Sequence, residues 1–464
     1  MLPLILLITV AVFAPTAHNW FWGDDFWLLR SSQRTPIGTF IVEAFDYRDR
    51  EPVPSFVFYR PLYVSTFRLC YAVFGLNAVG YHALSITLHL ASVVLVWVIA
   101  RRLLQSVFAA NVASMIFALH PAYTETVQGI ARGNTVMVTF VYLLTLLAFM
   151  KYVDGGSRRL LYYAASIVGF AAAVLYHTTA LSLIAVLPAY VFLIARRPSE
   201  ALNLRWWLRL APFIAITVVM MLIQRRGDVG LEQGFKIGWH QYSEFGQYLG
   251  YALFPVLPQD WLRLDLPRQA LLTDLSIAGS LVMIGATLVL LDRRQWPYRG
   301  VFTAWWLYVA LAPNTTFLGG ALPPQLYLPG ACLGLFFVLV ARRANEMLPA
   351  NLLRRASAFA PLLLTVFLAS YIALSLGHLR EDDVHVRENR SFITRLRERV
   401  PPLTPGSTLY VVDPPFNLVV FGNDALNAAV QLYYGDVTVE PVSRQEADRI
   451  ERTDPTQVVF ENRP

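Results

Sequence analysis

Long apolar runs recur from residue 2 to about residue 378, separated by short polar stretches and two longer ones, and a third long polar segment follows. A bilayer span needs about 20 mostly apolar residues. These runs have that character and lack the strict alternation of membrane β-strands. The pattern predicts eleven transmembrane helices, near 2–19, 80–100, 104–119, 134–150, 160–177, 179–195, 208–224, 272–291, 300–317, 326–341 and 357–378. Within the longer segments 20–79 and 225–271, the stretches Pro61 to Phe74 and Trp239 to Leu253 are amphipathic and aromatic-rich, which suits helices lying in the membrane interface. Beyond residue 378 the pattern shortens to strand-like runs at Thr408–Val412, Val437–Val442 and Gln457–Glu461, around helical Ala425–Tyr434 and Arg444–Arg452. The expected fold is therefore mainly α. A polytopic module over 1–378 is followed by a small soluble α/β domain over 379–464.

Charge sets the orientation. With the N-terminus in the cytoplasm, Arg101/Arg102, Lys151/Arg158/Arg159, Arg196/Arg197/Arg205/Arg209, Arg293/Arg294/Arg299 and Arg342/Arg343/Arg354/Arg355 fall on one side. That side then holds 16 basic residues against four acidic ones, Asp154, Glu200, Asp292 and Glu346. The opposite short loops carry almost no positive charge, which is the bias of a cytoplasmic face. Segments 20–79, 225–271 and 379–464 are then expected outside, in what reads as a bacterial inner membrane. Leu2 to Ala17 is short and lacks a basic flank; a retained helix is expected, with a signal peptide as the other reading.

Composition narrows the chemistry. The chain is 56% hydrophobic and 15% charged with a mean hydropathy of +0.47, which excludes a set of soluble domains. Its net charge of +7 lies at span ends and in loops, so no nucleic-acid partner is implied. Cys70 and Cys332 are too few and too scattered for a disulfide framework or a metal cluster. P-loop and dinucleotide-binding fingerprints do not occur.

Three polar clusters stand out. Asp24 and Asp25 sit in Trp20-Phe21-Trp22-Gly23-Asp24-Asp25-Phe26-Trp27 at the membrane surface, where ionised carboxylates are expensive and call for a functional account. A partly desolvated carboxylate suits a general base for an alcohol acceptor; the bland alternative is an aromatic belt with two solvated acids. Arg60 precedes the first interface helix, where it suits a phosphate, the Asp pair or a lipid headgroup equally. His120, Glu125, Gln128 and Arg132 form the third cluster, with Pro121 suited to open a helix that would put Glu125, Gln128 and Arg132 on one face as a polar wall. His120 with Glu125 lacks zinc-ligand spacing and a third ligand, so no metal site is expected there. Arg225, Arg226, Lys236 and His240 in the second long loop offer cations for a phosphate, or ordinary loop charge.

The order of these motifs carries a resemblance. Gly23-Asp24-Asp25, Tyr59-Arg60-Pro61-Leu62, Phe74-Gly75-Leu76-Asn77, Tyr81-His82, Leu88-His89 and Phe117-Ala118-Leu119-His120-Pro121 with Thr124-Glu125 resemble the C-type (GT-C) membrane glycosyltransferases. Within them the likeness is to protein O-mannosyltransferases that carry tetratricopeptide repeats. It covers about 1–380 in topology and 20–150 in motif. The resemblance implies a polyprenyl-phosphate-linked sugar donor and an extracytoplasmic protein, lipid or glycan acceptor, with Asp24 or Asp25 activating the acceptor. It also implies that His120 and Glu125 line the same cavity. The chain departs from that pattern at His177-Thr178, where relatives have Lys-Glu, and at Pro323-Pro324-Gln325 before Tyr327-Leu328-Pro329, where they have Glu-Arg. Arg132-Gly133-Asn134 reverses their Gly-Arg order, and residues 379–464 stand where they carry repeats.

The expected activity is inverting transfer of that sugar, with Arg60, Arg225 or Arg226 at the leaving phosphate. No tightly held cofactor is implied, although a divalent Mg or Mn on the Asp pair is an open possibility. A lipid-linked-sugar transporter or flippase, and a non-catalytic binding or assembly subunit, are the competing readings. Charged residues near midmembrane would favour transport, and the acids instead cluster at the surface.

Overall fold

The computed structural model describes residues 1–46, 59–195, 203–226, 238–254, 266–291, 297–316, 321–347, 349–419, 424–453 and 457–462. The chain begins with α1 (Leu2–Phe13), a 3-10 turn to His18, then α2 (Asp25–Arg34), α3 (Ile37–Phe45), α4 (Pro61–Phe74), α5 (Ala78–Leu104) and α6 (Val107–Leu119). Next come α7 (Thr124–Gln128), α8 (Gly133–Asp154), α9 (Arg159–Tyr176), α10 (Leu183–Ala189), α11 (Leu204–Arg226) and α12 (His240–Leu253). The bundle is completed by α13 (Leu266–Leu291), α14 (Pro297–Leu311), α15 (Tyr327–Met347) and α16 (Ala350–Arg399). Both expected interface helices thus form, as α4 and α12.

Six described helices are long and apolar enough to cross a membrane, or seven if α6 and the segment Pro121–Gln128, bent by 48° at His120, count as one. Among the described residues, not all of the expected eleven spans appear at full length. Leu2–His18 and Thr178–Ile194 are shorter apolar helices. The 15 residues of α14 rise only about 22 Å, short of a hydrocarbon core of about 30 Å. Even so, α1 joins the main core through Ile5, Val12 and Phe13. His89 ties that core together: Nδ1 lies 2.8 Å from the Tyr327 hydroxyl and Nε2 lies 3.1 Å from the Ala118 carbonyl.

The two faces distinguished by charge are the two ends of α5, which is about 40 Å long. At its C-terminal end Arg102 pairs with Asp154 and donates to Tyr190, and Arg342 donates to the Leu104 carbonyl (3.1 Å). At its N-terminal end Tyr81 meets Phe21, beside the Asp pair.

The expected boundary at 378 falls inside a helix. Residues Ala350–Arg399 form one continuous 50-residue helix, because the polar run after 378 keeps helical spacing and has no breaker before Pro401. After it come β1 (Thr408–Val412), α17 (Phe416–Val419), α18 (Asp424–Tyr434), β2 (Thr438–Val442), α19 (Arg444–Thr453) and β3 (Val458–Glu461). The sheet is parallel in order β2-β1-β3, with Leu409 opposite both Val439 and Val458. Central β1 buries Leu409, Val411 and Val412, whereas Pro441 occupies edge strand β2, where its missing N–H is tolerated. This domain does not stand apart. Leu426, Ala429 and Val430 of α18 share one core with Phe26 and Leu29 of α2 and with Phe392 and Leu396 of α16, and Gln33 donates to the Leu432 carbonyl (3.3 Å).

Candidate functional site

Gly23 decides how the Asp pair is presented. Its φ of +51° lies in the left-handed region that glycine enters freely, and the resulting turn lets the Asp25 N–H reach the Trp22 carbonyl (3.1 Å) as α2 begins. The turn parts the two acids. Asp24 is exposed, and Asp25 is 1% exposed. Asp25 Oδ2 accepts from the Trp22 N–H (3.1 Å) and Oδ1 from the Ala131 N–H (2.7 Å). Across the bundle the Tyr63 hydroxyl of α4 donates to the Ala131 carbonyl (2.7 Å). One residue between α7 and α8 is thereby fixed by both loop helices. Burial pushes the Asp25 carboxyl up to about 7, with the Asp24 charge adding to the rise; the two backbone N–H groups and Arg132 oppose it.

Arg132 caps the N-terminus of α8 rather than continuing α7, which ends at Gln128. The expected single helical face is thus replaced by a turn over 129–132. That turn still folds Arg132 back onto Glu125, with Nε and Nη2 each 3.0 Å from Oε1. Glu125, then Asp24, hold the guanidinium in its charged form. Half-buried Arg60 lies in the field of Tyr63 and Arg132; burial lowers it to about 10, so it stays cationic at neutral pH. His177 lies in the field of Arg60.

Asp24, Asp25, Glu125, Arg132 and Arg60 therefore converge. The other expected residues do not join them in the same way. His120 is 1% exposed, accepts from the Ala122 N–H at Nδ1 (3.3 Å), sits 3.2 Å from the Ala252 carbonyl through Nε2, and stacks on Tyr123. Nδ1 thus serves the bend, and Nε2 ties the bend to α12. Gln128 is buried, with both amide atoms lacking a partner among the described residues. His240 opens α12, away from the Asp pair in sequence and element. The side chains of Arg225 and Arg226, and the whole of Lys236, lie outside the described residues.

Among the described residues no three His, Cys, Asp or Glu side chains converge as a metal set. Both Asp25 oxygens accept from backbone N–H groups, so Asp24 is the open carboxylate of the pair.

Two buried polar side chains escaped the sequence pattern. Tyr63 is hidden among the aromatic residues of an amphipathic helix. Glu244 of α12 is 5% exposed and pushed up to about 7 by burial. The available signal was that Glu244 is the one acid within His240–Leu253, flanked by Tyr242 and Phe245.

Comparison with known proteins places this arrangement. Residues 60–223 match the family model described as dolichyl-phosphate-mannose-protein mannosyltransferase. Protein O-mannosyl-transferase Tmtc1 of Drosophila melanogaster is 37% identical over 94 residues, 20% of this chain and 11% of that protein. Tmtc2 of the same organism is 36% identical over 129 residues, 27% and 14% of the two chains. These matches thus span only a small part of the relatives' length. In fold, ArnT from Cupriavidus metallidurans, solved bound to undecaprenyl phosphate, superposes with a TM-score of 0.53 at 14% identity over 99% of this chain and 89% of its own. The Archaeoglobus fulgidus oligosaccharyltransferase gives 0.51 at 11% identity over 95% and 62%. The chain is an integral membrane protein of the C-type glycosyltransferase fold. Its fold is shared with ArnT and the oligosaccharyltransferase, and residues 60–223 carry a likeness to protein mannosyltransferases.

Proposed function

We propose that the protein transfers a sugar, with inversion, from a polyprenyl-phosphate carrier to a hydroxyl-bearing acceptor on the extracytoplasmic side of its membrane. The observation that carries this reading is the separation of the Asp pair. Asp24 is open to an incoming acceptor, whereas Asp25 is buried and bonded to the loop bearing Arg132. Asp24 takes the proton of the acceptor hydroxyl as its oxygen attacks the anomeric carbon. The bond to the carrier phosphate breaks on the opposite side, and Arg132 with Arg60 stabilises the charge left on that phosphate. Asp25 is a positioning residue, and Glu125 orients Arg132. No step runs through a metal ion.

Support for a lipid-phosphate donor comes from the matched mannosyltransferase family and from the fold shared with ArnT, which was solved with undecaprenyl phosphate. A protein acceptor is favoured by the O-mannosyl-transferase relatives. The test is transfer from a panel of radiolabelled polyprenyl-phosphate sugars by wild type, Asp24→Asn and Asp25→Asn, with carrier binding measured in parallel. Asp24→Asn is expected to cut turnover by about 10²-fold or more with binding retained. Transfer surviving in Asp24→Asn and lost in Asp25→Asn reverses the assignment; carrier binding with no transfer from any donor removes the enzyme reading.

A further inference from the structure

Glu244 is a buried acid without a task in the mechanism above. Its Oε2 is buried with no hydrogen-bond partner among the described residues, and one turn earlier His240 Nε2 is in the same state. Residues four apart on a helix share a face, with Cβ atoms about 5–6 Å apart. One turn later Tyr248 donates its hydroxyl to Gln325 Oε1. The opposite face of α12 is spent on packing, since Gly250 approaches Gly279 and Ser276 of α13 backbone to backbone. An unmet buried carboxylate oxygen is costly to maintain, so its presence beside other polar groups asks for a ligand.

The chemistry of that ligand follows from the neighbours. Tyr248, Gln325, Gln241 and Thr315 are neutral donors and acceptors, whereas a phosphate calls for cations, and among the described residues those gather at Arg60 and Arg132. Neutral hydroxyls, which both donate and accept, match this set. The two regions adjoin through one turn: Thr126 of α7 donates to the Pro324 carbonyl (2.9 Å), and Tyr248 bonds the next residue, Gln325.

We infer that this face of α12 is the subsite for the hydroxyls of the carrier-linked sugar, with Glu244 accepting from a ring hydroxyl and His240 and Tyr248 flanking it. The inference rests on the glycosyl-transfer reading. Its test is direct binding to the purified protein of bare short-chain polyprenyl phosphate and of the same carrier bearing mannose, glucose or arabinose, for wild type, Glu244→Ala and Glu244→Gln. Wild type is expected to bind at least one sugar-linked carrier about tenfold more tightly than the bare carrier, because a site built around hydroxyls discriminates against a ligand lacking them. Glu244→Ala is expected to erase that preference and Glu244→Gln, which keeps an acceptor oxygen, to retain part of it, with bare-carrier binding unchanged in both. Equal loss of both ligands, or an undiminished preference in both variants, overturns the subsite. So does a wild type that binds bare carrier without any sugar preference, and that result leaves the carrier reading standing. A wild type that binds neither ligand overturns the carrier reading and the subsite together.

Discussion

Asp25 and Glu244 are both carboxyls buried in loop helices, and what meets them differs. Asp25, at the start of α2, accepts from two backbone N–H groups and so ties the first loop to the turn before α8. Glu244, on α12, has an oxygen with no partner among the described residues, in a setting of neutral polar side chains. Burial raises both to about 7. The same electrostatic signature therefore accompanies two kinds of work: one carboxyl holds the backbone, and the other is left open. Hydrogen-bond partners, rather than a raised pKa, tell them apart.

The comparison is broken most strongly by detaching the second region. A Cβ on Gly250 would lie 2.8 Å from the Ser276 backbone, so Gly250→Leu is expected to push α12 off α13 at a cost of about 3 kcal/mol, read as a lower melting temperature. Unaltered melting would show that α12 docks by other contacts. Asp25→Asn presents an amide –NH₂ to one of the two N–H donors, and a loss of about 1–3 kcal/mol is expected at pH 8. A variant as stable as wild type would mean that Asp25 does not hold the loop.

Glu244→Gln is expected to act in the opposite direction and to depend on pH. The folded-state pKa of Glu244 is raised, so its contribution is fully present below about 4.5, declines as pH rises through about 7, and stays low above that. The variant lacks this decline and is expected to be about 1 kcal/mol more stable than wild type at pH 8. Identical pH–stability curves from 4 to 8 would contradict the burial of this acid. The smallest effect belongs to Glu125→Gln. Because Arg132 is 38% exposed, loss of this pair is expected to cost below about 1 kcal/mol, and its consequence is sought in weaker carrier binding. A large stability loss instead would make the pair structural.

Much of this was legible before any coordinates. The periodicity of Pro61–Phe74 and the run ending at Leu253 located α4 and α12, and the alternation in Thr408–Val412 located the central strand, because burial of one face or both imposes a period on sequence. The break at His120-Pro121 was legible too, but not its result: Arg132 meets Glu125 through a turn, where a continuous helix was expected. Eleven spans were expected and six or seven described helices have full length, because hydropathy marks apolar segments without marking where helices stop. Residue 378 looked like a domain boundary because polarity changes there, yet helical hydrogen bonding is indifferent to polarity and α16 runs on to Arg399.

The sequence by itself determined the membrane class, the apolar helices, the terminal α/β elements and the presence of an acidic pair beside aromatic residues, since each is a local matter of composition and period. Only the tertiary structure decided which acid of the pair is open. It alone paired Arg132 with Glu125, seated α18 on α2, and left the buried Glu244 with one oxygen lacking a partner among the described residues. Those outcomes depend on which distant backbone groups arrive beside a side chain, as the Ala131 N–H arrives at Asp25 from 106 residues away, and a local pattern carries no record of that meeting.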